Sequence, residues 1–200
     1  MNRSIFAEKI FYYEDLILDP QRLVSLIEET DETLTDFDAI EKWHKWVASG
    51  GGPEYVFGHQ KFTDESKLST SSENVAYVYE TVKSALVSIG KDYSSELGIE
   101  YEEHAPISIS RYRTGGEMGP HVDHYGETHY TPLMSAVLYL NDDVEGGELN
   151  FPNQGITIKP KAGSAIVFPS VEPFLHESLQ VTSGVKYIVP AFWVKRLVNH

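Results

Sequence analysis

The sequence contains no cysteine. Thiolate metal sites, cysteine nucleophiles and disulfide scaffolds are thereby excluded, and any metal has to be held through nitrogen and oxygen. Basic residues are scarce as well: 16 Lys and Arg stand against 30 Asp and Glu, for a formal net charge of −14. A groove that tracks phosphates is built from Lys and Arg, so nucleic acid is not expected as a partner. No run approaches the length and apolarity of a membrane span. The first residues, 1–16, carry charges throughout and lack the apolar stretch of a signal peptide. Repeats at solenoid or propeller periods are missing too. These absences point to a cytoplasmic protein with no membrane partner, and nothing among them sets an oligomeric state.

What is present is a globular composition, 41% hydrophobic and 23% charged over 200 residues. That length supports one domain with a substantial core and is short for two. Asp19-Pro20 is a helix start, with Asp as N-cap and Pro in the first turn. Leu23, Val24, Leu26 and Ile27 then share a face. A shorter amphipathic piece through Ile40, Trp43 and Val47 stops at Gly50-Gly51-Gly52-Pro53. A longer helix begins near Thr70, which forms a capping box with Glu73, and carries Val75, Val78, Val82, Leu86 and Ile89 to an end before Gly98. Trp43, Trp46, Tyr77 and Tyr79 read as core aromatics of these helices.

From Pro106 the hydrophobic period changes to two. Strands are expected at 107–112, 135–141, 148–151, 156–159, 165–168, 175–181 and 186–193, with turn residues between them. Helices followed by many short strands give an α+β class. The expected architecture is a jelly roll (a double-stranded β-helix) at about 105–195. Helical support at 1–100 packs on one of its sheets, and 1–200 form a single domain.

Most of the eight histidines need no special explanation, and His44, His59, His104 and His200 each stand alone. His121-Val122-Asp123 is different, because residues two apart in an extended segment point to one side and can meet one metal ion. A second imidazole is needed to complete a site. His124 and His129 lie in the same loop, and His176 lies on the strand expected at 175–181. Two His and one carboxylate on one face leave three octahedral positions open, the arrangement suited to non-haem Fe(II) oxygen chemistry. Lys186 falls on the last expected strand. If it points inward it needs an anion, such as a carboxylate of a bound cosubstrate; at a strand edge it would simply meet solvent.

His121-x-Asp123, His176 and then Lys186 together resemble the 2-oxoglutarate/Fe(II) oxygenase superfamily. Lys at the last position is similar to its prolyl 4-hydroxylase branch. Arg111-Tyr112-Arg113-Thr114-Gly115 resembles that branch's R-Y-x-x-G segment, and Tyr139-Leu140-Asn141 with Gly146-Gly147-Glu148-Leu149-Asn150-Phe151 resembles its Y-L-N…G-G-E-T-x-F stretch. Pro160-Lys161-Ala162-Gly163-Ser164-Ala165 followed by Phe168 resembles its P-x-x-G-x-A…F stretch. Two departures stand out. Leu149 occupies the place of a Thr, which removes a hydroxyl that could help seat the cosubstrate. Trp193 is displaced by one position, with Phe192 in its usual place.

The resemblance implies a dioxygenase that uses Fe(II), 2-oxoglutarate and O2, with ascorbate as a reductant such enzymes admit. It implies His121, Asp123 and His176 as metal ligands, Lys186 as the partner of the far 2-oxoglutarate carboxylate, and Tyr112 as a phenolic donor to it. No side-chain general base is implied. The expected substrate is a prolyl residue in a peptide or protein. A free proline or other small amino acid is the alternative, with Arg113 available for its carboxylate. A non-catalytic metal-binding jelly roll is a reading from another class, and a nucleic-acid demethylase is disfavoured by the charge. The segments 50–57 and 124–131 are candidate substrate loops.

Overall fold

The computed structural model describes residues 2–29, 44–45, 54–56, 73–104, 107–124 and 130–196. In chain order the elements are β1 (Asn2–Ala7), β2 (Ile10–Glu14), α1 (Pro20–Glu29), β3 (His44–Lys45), β4 (Glu54–Val56) and α2 (Glu73–Leu97). Then follow β5 (Glu103–His104), β6 (Ile109–Arg113), β7 (Met118–His121), β8 (Tyr130–Tyr139), β9 (Glu145–Gly146) and β10 (Leu149–Phe151). The last are β11 (Ile156–Ile158), β12 (Ala165–Pro169), β13 (His176–Ser178), β14 (Val181–Ser183) and β15 (Val185–Arg196).

A nine-stranded sheet runs in the order β1-β2-β12-β8-β15-β6-β4-β3, with β5 beside β15. A four-stranded sheet, β11-β10-β13-β7, faces it, and β14 and β9 form a small third pairing. Helices α1 and α2 cover the outer face of the large sheet. The α+β jelly roll expected from the sequence is therefore present, with the helices on one sheet. The first hundred residues are less helical than expected. They open on the hairpin β1–β2, and β2 pairs with β12 inside the large sheet. Its sequence, Ile10-Phe11-Tyr12-Tyr13, is apolar on both faces because both faces are buried, so it shows no alternation to read.

Local chemistry sets the helix ends. The Asp19 carboxylate accepts the Arg22 amide at 3.1 Å, the N-cap bond foreseen for α1. Gly98, at φ +65, closes α2, and the Ile99 amide donates to the Ser94 carbonyl at 2.9 Å. That bond is the Schellman closure, which needs a left-handed residue at this position. Thr70 and the piece through Ile40, Trp43 and Val47 lie outside the described residues apart from β3, as does Trp46. Tyr79 is core, but Tyr77 is 41% exposed. It lies under the Arg22 guanidinium of α1, 4.9 Å from its ring centre, so the helical stripe ends beside it instead of including it.

Alternation along three central strands builds two cores. Met134, Ala136 and Leu138 of β8, Ala165 and Val167 of β12, and Val189, Ala191 and Trp193 of β15 face the helices. Tyr139, Ile166, Phe168 and Ile188, from the opposite faces of the same strands, meet Leu149, Phe151 and Ile158 of the small sheet. Trp193 is thus a helix-side residue. It packs so closely on Gly90 of α2 that a Cβ there would run into the indole ring. Its one-position displacement puts it in the structural core, away from the cleft between the sheets.

On β6, Arg111 donates two bonds to the Glu28 carboxylate at 2.8 and 3.1 Å, while Tyr112 faces the cleft. Glu28 also accepts the Tyr187 hydroxyl at 2.9 Å, tying α1 to the strands that carry Tyr112 and Lys186.

Candidate functional site

Two neighbouring strands of the small sheet supply the histidines. Ser178 of β13 pairs with Met118 of β7, and a regular ladder would then set His176 opposite Pro120. The register shifts between these pairs, and His176 instead faces His121. One extra residue on β7 turns the imidazole of His121 to the same side as that of His176. The ring centroids lie 4.4 Å apart. Asp123, two residues on and 7% exposed, places its carboxylate between them: Oδ1 is 3.5 Å from Nε2 of His121 and Oδ2 is 3.6 Å from Nε2 of His176. The ligand atoms of these three residues lie within 4.8 Å of one another.

Both rings are fixed from behind. Nδ1 of His121 donates to the Gly119 carbonyl at 2.8 Å, and Nδ1 of His176 donates to the Phe174 carbonyl at 3.1 Å. With Nδ1 protonated, each neutral imidazole presents the lone pair of Nε2, which is how metal-binding histidines are oriented. Phe151 and Phe168 wall the His176 ring, with centroids at 5.9 and 4.5 Å. Burial works against the Asp123 charge. The His121, His176 and Ser135 side chains outweigh it, so the carboxyl titrates below its ordinary range. Ser135 shares a 2.7 Å hydrogen bond with Ser170 behind the carboxylate. Burial lowers the pKa of His176. In His121 burial is overcome by Asp123 and the Gly119 carbonyl, and the pKa rises. Three converging donors, two neutral nitrogens and one ionised oxygen on one face, fit a divalent iron. His124 is outside this cluster, and His129 is outside the described residues.

Lys186 lies opposite Tyr112 in the β15–β6 ladder. It is 3% exposed, so the inward alternative is the one realised. Its ammonium donates to the Gly147 carbonyl at 2.9 Å and, in a short contact, to the Ser178 hydroxyl; it sits 4.3 Å from the centre of the Tyr112 ring. Burial drives its pKa down from 10.5 to about 7, against a smaller upward pull from Glu148. A buried ammonium resting on neutral oxygens and a ring face can seat a carboxylate. The Tyr112 phenol is held well above its ordinary pKa by burial and by Asp123, so it stays protonated and able to donate. The residues present therefore fit 2-oxoglutarate at one end and iron at the other.

Arg113 lies on the opposite side of β6 from Tyr112 and is exposed. Of the two candidate loops, 54–56 are strand β4, which pairs with β6, and 130 begins β8. The remainder of 50–57, and 125–129, lie outside the described residues.

Sequence reasoning missed Ser178, Gly147 and Ser135. Ser178 carried a signal, being two residues from His176 on one strand. Gly147 carried another, in the Gly146-Gly147 pair; it adopts φ +70, and a Cβ there would meet the Lys186 Cδ at 3.1 Å. Ser135 had none.

Residues 107–195 match the 2OG-Fe(II) oxygenase superfamily. A PKHD-type hydroxylase of Rippkaea orientalis is 41% identical over 100 residues, covering 46% of this chain and 44% of the relative. Probable prolyl 4-hydroxylase 9 of Arabidopsis thaliana is 31% identical over 116 residues, covering 44% of this chain and 40% of the relative. The chain thus spans less than half the length of these two relatives. The fold is that of a viral collagen prolyl hydroxylase from Paramecium Bursaria Chlorella virus-1, solved with 2OG, at a TM-score of 0.66 and 19% identity over 94% of this chain and 96% of the other. Residues 107–195, which hold both the histidine–aspartate cluster and Lys186, are thus the part of the chain that is similar to the 2OG-Fe(II) oxygenase superfamily and to its prolyl 4-hydroxylases.

Proposed function

We propose that this protein is an Fe(II)- and 2-oxoglutarate-dependent dioxygenase that hydroxylates a prolyl residue in a peptide or protein. One observation carries the reading: a face of two imidazoles and one carboxylate shares the inter-sheet cleft with a buried ammonium held on the Gly147 carbonyl and the Ser178 hydroxyl. His121, Asp123 and His176 hold the metal. Their Nδ1–H bonds to Gly119 and Phe174 keep the rings aimed. Lys186 takes the far carboxylate of 2-oxoglutarate, and Tyr112 donates its phenolic proton to the same ligand. Phe151, Phe168 and Ile188 keep water from the cleft. Bound iron and 2-oxoglutarate supply the oxidation itself, in which O2 is consumed, the cosubstrate becomes succinate and carbon dioxide, and a C–H bond gains oxygen.

The prolyl assignment is supported by the names of the relatives, a prolyl 4-hydroxylase and a collagen prolyl hydroxylase. It is favoured over a free amino acid because Arg113, the residue available for an amino-acid carboxylate, faces away from the cleft. We read residues 1–200 as one domain, since β2 is an internal strand of the catalytic sheet. The cysteine-free composition supports a cytoplasmic location. Among the described residues no helix is long and apolar enough to cross a membrane.

The test is anaerobic reconstitution with Fe(II) and 2-oxoglutarate, monitoring the visible iron-to-keto-acid charge-transfer band, followed by addition of O2 and proline-containing peptides. The native protein should give the band and His176→Ala should not. Peptide-stimulated succinate with hydroxyproline in the product establishes the substrate class. A folded, metal-loaded protein without the band would leave the metal-binding jelly roll as the better description.

A further inference from the structure

Lys186 is the charged part of the proposed cosubstrate seat, but an ammonium alone fixes a carboxylate loosely, because it is a point charge with rotatable donors. The structure places one more polar group beside it. Ser178 is buried on β13 and accepts a hydrogen bond from Lys186. Its own proton has a poor outlet, the Leu179 carbonyl at 3.5 Å. A hydroxyl that accepts from a cation and has a proton to spare is prepared to donate to an anion on the same cation.

Position on the strand supports this. Ser178 lies two residues beyond His176 with both side chains turned inward, a separation of about 7 Å along a strand. The extended carbon chain of 2-oxoglutarate spans about 5 Å between its terminal carbons. A molecule chelating a metal beside His176 therefore brings its far carboxylate level with Ser178. The cross-strand neighbour of Ser178 is Leu149. A hydroxyl at position 149 would approach the same spot from β10; leucine cannot supply one, and its buried side chain packs against the apolar wall instead.

We propose that Ser178 is a cosubstrate-binding residue, donating its hydroxyl proton to the far carboxylate of 2-oxoglutarate alongside Lys186, in place of a hydroxyl that Leu149 does not provide. This rests on the reading of Lys186 as the carboxylate seat, and the experiment separates the two. Binding is measured by calorimetry on protein loaded with Mn(II), which needs no turnover, using 2-oxoglutarate and pyruvate as probes. Pyruvate has the metal-binding keto acid and lacks the far carboxylate.

Ser178→Ala should weaken 2-oxoglutarate about tenfold, the value of one hydrogen bond to a charged group, and leave pyruvate unchanged. Adding Leu149→Thr to Ser178→Ala should recover most of the loss by returning a hydroxyl from the neighbouring strand. Native-like pyruvate binding also shows that the variant is folded and metal-loaded. If Ser178→Ala binds 2-oxoglutarate as the native protein does while Lys186→Ala does not, the serine role is wrong and the lysine seat stands. If both variants bind it normally, both are wrong. Equal weakening of the two keto acids would also overturn the serine role, because the damage would lie at the metal end.

Discussion

Replacing Lys186 with methionine should make the protein more stable and destroy its use of 2-oxoglutarate. Burial lowers the lysine pKa from 10.5 to about 7. At 1.36 kcal/mol per pH unit, that fall corresponds to about 4 to 5 kcal/mol held against the folded state at low pH. Between pH 7 and 10.5 the unfolded chain binds more protons at this position than the folded chain does. Stability from this group therefore rises with pH across that window and is poorest below it. Methionine fills a similar volume without the charge. It leaves the Gly147 carbonyl and the Ser178 hydroxyl without their donor, which offsets the gain by about 1 to 3 kcal/mol in total. A net gain of about 1–4 kcal/mol remains at neutral pH, or about 2–16 °C in Tm for a chain of this size.

The assay is thermal unfolding of the metal-free protein from pH 7 to 10, native against Lys186→Met, with calorimetric titration of 2-oxoglutarate on the Mn(II)-loaded forms. The native protein should gain stability from pH 7 to about 9 and the variant should lack that rise, while near pH 10 both carry the same loss as tyrosines ionise in the unfolded chain and buried phenols such as Tyr112 and Tyr139 do not. 2-Oxoglutarate affinity should fall at least about 100-fold in the variant, as for loss of a buried charge pair. A variant that is less stable than the native protein at pH 7 and still binds 2-oxoglutarate would refute the reasoning, since the lysine would then be a structural cation.

Further outcomes follow from the same geometry. Burial lowers the Lys186 pKa to about 7, so the side chain is partly deprotonated at neutral pH and should complete its charge as the cosubstrate dianion arrives. Titrations in buffers of different ionisation enthalpy should show net proton uptake, less than one proton per 2-oxoglutarate at pH 7, a dependence that disappears in Lys186→Met. Gly90→Ala should cost about 3 kcal/mol or more, because its Cβ would lie 2.6 Å from the Trp193 Cε2 with helix backbone behind it. Urea unfolding reads this directly, and metal stoichiometry in the surviving folded fraction should be unchanged. Gly147→Ala adds left-handed strain of about 1–2 kcal/mol and a 3.1 Å contact with the Lys186 Cδ. It should therefore lower both stability and 2-oxoglutarate affinity, whereas Gly155→Ala, also left-handed but with open space, should lower stability alone.

The parts of the structure that were legible in the sequence are those in which one residue's chemistry has one strong consequence. Asp19-Pro20 and Gly98 marked helix ends through a side-chain acceptor and a left-handed backbone, and both bonds form. Period-two alternation located the strands that have one face on helices and one on the cleft, such as β8 and β15. The hairpin strand β2 escaped because both its faces are buried and its sequence does not alternate. Tyr77 escaped for a different reason: its place at the edge of the helical stripe is decided by Arg22 of another element, which no local pattern records. The departure at Trp193 belongs to the helix-side core and to Gly90, a contact that no local pattern records.

The candidate metal cluster shows the same division on a smaller scale. Spacing put His121 and Asp123 on one side of an extended segment, and that much follows from strand geometry alone. Which histidine joined them was a matter of register, since His124, His129 and His176 were all available to a sequence reading. A regular β13–β7 ladder would have set His176 beside Pro120 and turned His121 to the outer face. The one-residue shift reverses this. Such a shift costs ladder hydrogen bonds, and its evident return is that two imidazoles and a carboxylate converge within 4.8 Å. The segment Gly119-Pro120 is suited to it: proline has no amide to lose from the ladder, and the Gly119 carbonyl is freed to accept His121 Nδ1–H. The irregularity of the strand and the orientation of the ligand are thus one feature, and the Gly-Pro pair before His121 is as much a part of the site as the histidine itself.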